Sequence, residues 1–423
     1  ADASLTAAFD IDSTPPVIAD IQLSRIGPGE VSISWTTNEP TSATVEYGTS
    51  LSYELGVLDG AIGVSSDSIS VGGLSDEETY HFRITVTNGA GLTTSSQDLF
   101  LVLTSAPELN VWKGHSQTFG SLGEPQRWIN ILGNVSDPDG VASLSFSLNG
   151  GPPRPLNLGP YRRLADAGDF NVEIDFADLV PGGNLVEIHA TDSLGFEAMS
   201  QVTVNFDAGN LWPLPYQIDW SSESDVSNVA QITDGKWNIV NSALRNDQMQ
   251  YDRAVAIGDV LWTDYEVMVP VTIHDFSSVG FTSPNGRPAV GVMLKWPGHT
   301  NWTGDEQPSI GWYPTGGGGW YEFFADGSGR LRLTDFEGNV GDGDPLSRTL
   351  TLNITYIWKV RVETSSDGTS RYSLKIWESG QPEPESWELS DIDSSDTPGG
   401  SLFLVAHFTD VSFGNVSIVP VSD

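Results

Sequence analysis

The residues best suited to do chemistry lie in one short stretch of the second half of the chain. Lys295-Trp296-Pro297-Gly298-His299-Thr300-Asn301-Trp302 is followed by Gly311-Trp312-Tyr313-Pro314 and by Gly319-Trp320-Tyr321-Glu322. Of the 14 Trp residues, 11 lie after residue 207. A flat indole packs on the C–H face of a pyranose, and neighbouring polar groups bind its hydroxyls. The expected chemistry is therefore glycan recognition. The expected groove is lined by Lys295, Trp296, His299, Trp302, Trp312, Tyr313 and Trp320, with Arg253 as a further cation. The competing reading of any such Trp is core packing in a long strand, which is expected of Trp237, Trp262, Trp358 and Trp377.

Cutting a glycosidic bond by hydrolysis needs two carboxylates set across it. Asp264/Glu266 and Asp335/Glu337 are spaced to share a strand face. The first pair opens an ordinary strand, and the second runs into the turn Gly338-Asn339. Glu322, beside the aromatic run, is the carboxylate to test first. Asp137, Asp139 and Asp192, and separately Asp342 and Asp344, offer hard oxygens of the kind calcium takes. The same side chains also serve as turn formers that bond their own backbone. Calcium is thus the metal to look for. No phosphate-binding glycine loop, serine elbow or His-x-x-x-His pair calls for an organic cofactor. The four glycines from Gly316 to Gly319 read as a mobile loop or as room for a polymer to approach the backbone.

Composition narrows the partners. Asp and Glu number 56 against 19 Lys and Arg, a formal charge of -37. Such a surface does not neutralise phosphates, so nucleic acid is excluded, and an anionic membrane surface with it. The acidity suits a saline, bacterial or archaeal setting in which self-repulsion is screened. There is no cysteine, which excludes disulfides, thiol catalysis and thiolate metal sites. No apolar run approaches the roughly 20 residues of a membrane helix, so no membrane insertion is expected. The first residue is Ala1 rather than Met, as it would be after a signal peptide is removed. Protein partners leave no signature in the sequence.

The elements that must position these residues are strands. Apolar and polar residues alternate, turn signals recur about every 8–12 residues, and no segment sustains a helical period. After a tether over residues 1–13, Pro15-Pro16 opens a unit running to residue 105. Val31-Ser32-Ile33-Ser34-Trp35, Val45-Glu46-Tyr47-Gly48, Gly73-Leu74 before Tyr80, and the turn Asn88-Gly89-Ala90-Gly91 make it resemble a fibronectin type III domain. That resemblance implies a sandwich used as a spacer or display module, with Trp35 and Tyr80 in its core.

Residues 106–207 carry strands such as Trp128–Val135 and Leu144–Leu148, and the hairpin signal Asn149-Gly150-Gly151. They resemble a bacterial immunoglobulin-like or cadherin-like sandwich.

Residues 208–423 resemble a concanavalin A-like lectin/glucanase sandwich of the laminin-G type. The likeness rests on Asp264-Tyr265-Glu266-Val267, Gly291-Val292-Met293-Leu294, Tyr356–Val362, Lys375–Gly380 and the ending Phe413-Gly414-Asn415-Val416. Gly414 stands where that family usually has Asp. The Glu-x-Asp-x-x-Glu strand motif of many glucanases on this fold is absent. Lyases on it use a Tyr or His base with a cation against the substrate carboxylate. Tyr321 and His299, with Lys295 and Arg253, are the residues of those types here, while His274 and His407 read as satisfied strand histidines. The candidate catalytic residues are thus Glu322, His299 and Tyr321.

The expected architecture is all-β, three sandwiches in series, the last a concanavalin A-like jelly roll. The expected function is that of a secreted or cell-surface polysaccharide-binding protein. The alternatives are a polysaccharide-degrading enzyme, hydrolase before lyase, and a structural adhesin. An adhesin would bury Trp296, Trp302 and Trp312 between domains.

Overall fold

A computed structural model describes residues 12–421 apart from 28, 76–77, 104–105, 139, 194, 284–285, 302–306, 313–314, 336–345 and 395–396. Strands and four short 3-10 turns are the regular elements of those residues, so the chain is all-β. It divides near residue 106 into two compact units, with residues 137–139 grouped with the first.

The first unit is a six-stranded arrangement around the long strand Glu30–Gly48. Its apolar residues alternate strictly, so Val31, Ile33, Trp35, Val45, Phe82, Ile84 and Val86 all point inward. Tyr80 is buried as well, and its hydroxyl accepts a hydrogen bond from the Ser75 amide at 2.8 Å.

The second unit holds two sets of sheets. A five-stranded and a three-stranded sheet, built from residues 108–206, enclose one core of Ile129, Ile131, Phe146, Phe170, Val172 and Val202. The Asn149-Gly150 signal forms a tight turn with positive φ at both residues, 50° and 71°. The second set is a nine-stranded sheet facing a seven-stranded one, a jelly roll. The seven-stranded order is Gln231–Asp234, Arg253–Ile257, Ser401–His407, Ala289–Trp296, Gly318–Phe323, Gly329–Thr334 and Leu346–Ser347. Between the two large sheets lie Val267, Val269, Val292, Tyr321, Leu331, Trp358, Val360 and Leu404. Trp237, Trp262 and Trp358 belong to this core, and Trp377 is 9% exposed.

The glycine run is not a mobile loop. Gly318 and Gly319 begin a strand, and a Cβ on Gly316 would stand 1.6 Å from the Leu294 carbonyl oxygen. On Gly317 it would stand 2.8 Å from the Tyr372 ring. These glycines let the aromatic strand enter the sheet at close quarters. Gly316→Ala is expected to destabilise the unit by about 2–4 kcal/mol, because backbone on both sides must move. Urea unfolding followed by tryptophan fluorescence measures this, and a change below about 0.5 kcal/mol would contradict the packing described.

Candidate functional site

Alternation along the seven-stranded sheet creates two faces with different characters. Val290, Val292, Leu294, Tyr321, Phe323, Leu402, Leu404, Ala406, Leu331 and Leu333 enter the main core. The opposite face carries Ala254, Ala256, Met293, Phe403 and Val405 as a second apolar cluster, with Trp296 buried in it and Trp312 and Trp320 packed against it. Ala289 pairs with Glu322 on one side and His407 on the other, so these three positions form one row across the sheet. Trp320 lies over Gly291, where a Cβ would come within 2.6 Å of the indole.

At one end of this face is a pocket of about 150 Å³. Trp312, Trp320 and Tyr251 give it aromatic walls, Asp252, Glu322 and His407 line it, and Arg287, Arg332 and Thr334 complete the polar part. Trp312 and Trp320 are half-buried, with ring centroids 6.3 Å apart. The Trp312 indole Nε1 donates to Asp252 Oδ2 at 3.0 Å, which fixes its orientation. Asp252 Oδ1 lies 2.6 Å from His407 Nδ1. Burial alone would raise the Asp252 pKa, but the His407 imidazole, with help from His299 and Tyr251, outweighs it and holds the carboxyl below its ordinary value. Glu322 is gripped by Arg330 at 2.6 Å and Arg332 at 2.9 Å. Burial pushes the Tyr251 phenol well above its ordinary value, so it stays protonated.

The expected groove residues do not share one surface. Trp312 and Trp320 face the pocket. Trp296 is fully buried, stacked on Phe403 at 3.7 Å with a 10° interplanar angle, so it presents no face to a ligand. His299 is 1% exposed, its ring nitrogens 3.3 Å from the Gly311 carbonyl oxygen and from Asp234 Oδ2. A register shift between Met293 and Trp296 puts Lys295 at φ 53° and sends its side chain across the sandwich. There its ammonium donates to Thr364 and Ser370 at 2.8 and 2.9 Å. Arg253 is buried and donates to the backbone carbonyls of Tyr251 and Arg163. Tyr321 sits in the main core, where its hydroxyl accepts from the Leu350 amide at 2.9 Å. His299 and Tyr321 are therefore buried away from a ligand, and Glu322 is already paired with two guanidiniums. Trp302 and Tyr313 lie outside the described residues, as do Asp139, Asp342 and Asp344. Asp192 is buried and its Oδ1 accepts from the Phe196 amide at 2.8 Å, a turn-forming role, and Asp137 is half-buried. Among the described residues no group of three or more His, Asp or Glu side chains is placed to hold a metal ion.

Tyr251, Asp252, Arg287 and Arg332 carry no motif that the sequence singles out, and His407, expected as a satisfied strand histidine, lines the pocket instead. Asp252 directly precedes the buried strand Arg253–Ile257, and His407 ends the strand Ser401–His407. An ionisable residue at the end of a wholly buried strand is the signal that marked both.

The pocket's far wall is set by a buried polar layer that joins the two sandwiches of this unit. Arg163 is 3% exposed and reaches Glu173 and Asp234, each at 2.7 Å. The same guanidinium donates to the Ser309 carbonyl. Ser309 N donates to Glu173 at 2.7 Å, and Trp128 Nε1 to the His299 carbonyl at 2.8 Å. Asn130, Asn171, Gln126 and Gln231 extend the network. The loop that carries His299 and leads to Trp312 is thus anchored to the preceding sandwich.

No family model matches the chain, and no curated protein matches it in sequence. Solved structures similar to it include the exoplasmic/lumenal domain of VIP36 in its Ca2+-bound form, at 9% identity over 49% of this chain and 90% of that one, TM-score 0.34. A bacterial ice-binding adhesin matches at 13% identity over 87% of this chain and 98% of that one, TM-score 0.25. The chicken CNTN1 FN1–FN3 domains match at 13% over 86% and 99%, TM-score 0.22.

Arg163→Met would leave Glu173 and Asp234 buried without their cation, and is expected to cost about 3–5 kcal/mol in urea unfolding. A loss under about 1 kcal/mol would mean that the layer is hydrated and carries little. Asp252 has a depressed folded pKa, so its contribution is present above about pH 4 and is lost as the pH falls through the folded value. Asp252→Asn should therefore be less stable than the native chain at neutral pH, with the gap narrowing below about pH 4. Unfolding curves at both pH values check the sign.

Proposed function

We propose that the protein is a secreted, multidomain polysaccharide-binding protein. Its C-terminal sandwich takes the glycan in the pocket of Trp312, Trp320 and Tyr251, and the preceding sandwiches act as spacer and support. The observation that carries the reading is the pairing of two half-buried indoles with charged and hydroxyl side chains around one sugar-sized space. Arg332, Glu322 and Thr334 supply donors and acceptors for hydroxyls, and the indoles supply faces for C–H groups. Calcium, if the protein takes it, belongs outside this pocket, whose carboxylates are already partnered by His407, Trp312 and guanidiniums. No helix of the described residues is long and apolar enough to cross a membrane.

Trp296 meets the demand of a structural protein, since it is buried under the anchored loop. Trp312 and Trp320 do not, because they keep faces on the pocket, and this favours binding over a purely structural role.

Affinity electrophoresis in gels cast with a panel of marine and plant polysaccharides tests the reading. At least one polymer is expected to retard the native chain. Trp320→Ala and Trp312→Ala should each weaken that retardation about tenfold or more, with far-UV circular dichroism unchanged. Retardation that survives both substitutions would place the glycan elsewhere.

A further inference from the structure

A second cleft, larger than the indole pocket, runs along the seam between the two sandwiches of the second unit. Its first lobe holds about 290 Å³. One wall is the strand Ser116–Phe119 with the loop that follows it to Pro125. The other is the segment from Asp225 to Ile232, with Trp212. Asn130 and Leu132, from the strand Trp128–Ser136, and Ile232, from the sheet-edge strand Gln231–Asp234, make a buried floor. A second lobe of about 270 Å³ shares Lys113, Leu132 and Ile232 with the first and continues past Trp112, Trp237 and Asn238. The two lobes therefore form one elongated groove. Its walls are tied to each other. Val260 N donates to the Glu124 carbonyl at 2.9 Å, and Glu124 N donates to Asp259 Oδ2 at 3.2 Å. Gln231 Nε2 donates to the Trp128 carbonyl at 2.7 Å and to Asn130 Oδ1 at 3.1 Å. Lys113 reaches across to Asp225 at 3.2 Å. These bonds fix the spacing of the walls, so the opening exists before a ligand arrives.

The lining is mixed in polarity and balanced in charge. Phe119, Leu122 and Trp112 are half-buried and keep accessible apolar surface above the floor. Ser116, Thr118, Ser121, Ser227 and Asn228 are exposed, and with Gln117 they set hydroxyls and amides along the rim. The charged residues of the two lobes are the cations Lys113 and Lys236 and the carboxylates Asp225 and Asp247. Lys113 is engaged by Asp225, and the Lys236 ammonium lies 4.4 Å over the Trp112 ring. The groove thus offers no net charge, in a chain whose formal charge of -37 repels anions. Apolar surface under a rim of neutral donors and acceptors suits a neutral, hydroxyl-rich ligand. The elongated shape suits several linked units rather than one.

Resting on the glycan-binding reading for its ligand class, we propose that this groove is a second carbohydrate site, which takes a stretch of neutral oligosaccharide along the seam. The apolar residues meet C–H faces, and the rim hydroxyls and amides meet sugar hydroxyls. One wall belongs to each sandwich, so the site exists only where the two are assembled. The preceding sandwich then supplies half of a binding site and is more than a spacer. Two separate sugar sites on one unit also raise its retention on a polymer that offers many repeats.

The test titrates the native chain, Ser227→Trp and Trp320→Ala by isothermal calorimetry. The probes are neutral cello-, xylo-, manno- and laminari-oligosaccharides, from disaccharide to hexasaccharide, with oligogalacturonate as the anionic counterpart. Ser227 is exposed on the groove wall, so an indole there blocks the first lobe without entering either core. One neutral series is expected to fill two sites on the native chain. Ser227→Trp should weaken one of them about tenfold or more and leave the other unchanged, and Trp320→Ala should do the reverse. Affinity at the groove should rise with chain length beyond the disaccharide. It should change less than about twofold between low and high salt, because no charge is paired on binding. Oligogalacturonate should bind the groove about tenfold more weakly than the neutral series. Should Ser227→Trp lose native circular dichroism, Ser121→Trp on the facing wall decides instead. Binding that is lost in Trp320→Ala and untouched in Ser227→Trp overturns the groove and leaves the indole pocket intact. A single site lost in Ser227→Trp and untouched in Trp320→Ala supports the groove and defeats the indole pocket. No binding of any series defeats both. Oligogalacturonate held as tightly as the neutral sugar, or groove binding that falls steeply with salt, also overturns the proposal.

Discussion

The site depends on a buried guanidinium. Arg163 sits between Glu173 and Asp234 with almost no access to water. Burial alone would lower its pKa, but the two carboxylates outweigh that and hold it charged. An unpaired charge there would be prohibitive, so each of the three groups requires the other two. Such a layer adds little net stability over an apolar one, but its bonds tie the two sandwiches of this unit together in the alignment seen. That alignment fixes Ser309 and His299, hence the path of the loop to Trp312, and hence the wall of the pocket.

The second constraint is the two-residue period of the sheet. The same alternation that sends Tyr321 and Phe323 into the main core turns Trp320 and Glu322 to the opposite face. That face is partly apolar, so it needs cover, and Trp296 with the following loop supplies it over Phe403. Where the cover ends, the pocket begins. Glu322 is neutralised by Arg330 and Arg332, whereas His407 keeps one nitrogen without a partner among the described residues.

Much of the fold was legible in the sequence. Strands such as Val31–Trp35, Ala289–Trp296 and Ser401–His407 announce themselves by alternation or by short continuous apolar runs, and the Asn149-Gly150 turn by its residues. The site was legible only in part. Trp320 and Trp312 were found, but Trp296 and Lys295 were assigned an exposure that a register shift of the strand denies them. Asn130, Asn171 and Glu173 alternate with apolar residues and so look like a solvent face, yet they are buried against the next sandwich. Periodicity gives the face a residue occupies, not what covers it. Asp252 and His407 lie about 150 residues apart in sequence, and only the sheet brings them together.

On the proposed function, glycan enters the pocket between Trp312 and Trp320. Titration of the native chain and of Trp320→Phe with oligosaccharides from a retarding polymer, followed by tryptophan fluorescence, addresses it directly. A saturable spectral change is expected in the native chain and is expected to be largely lost in Trp320→Phe, with the smaller ring still permitting weaker binding. An equal change in both proteins, or none in either at concentrations that retard the chain in gels, would contradict it.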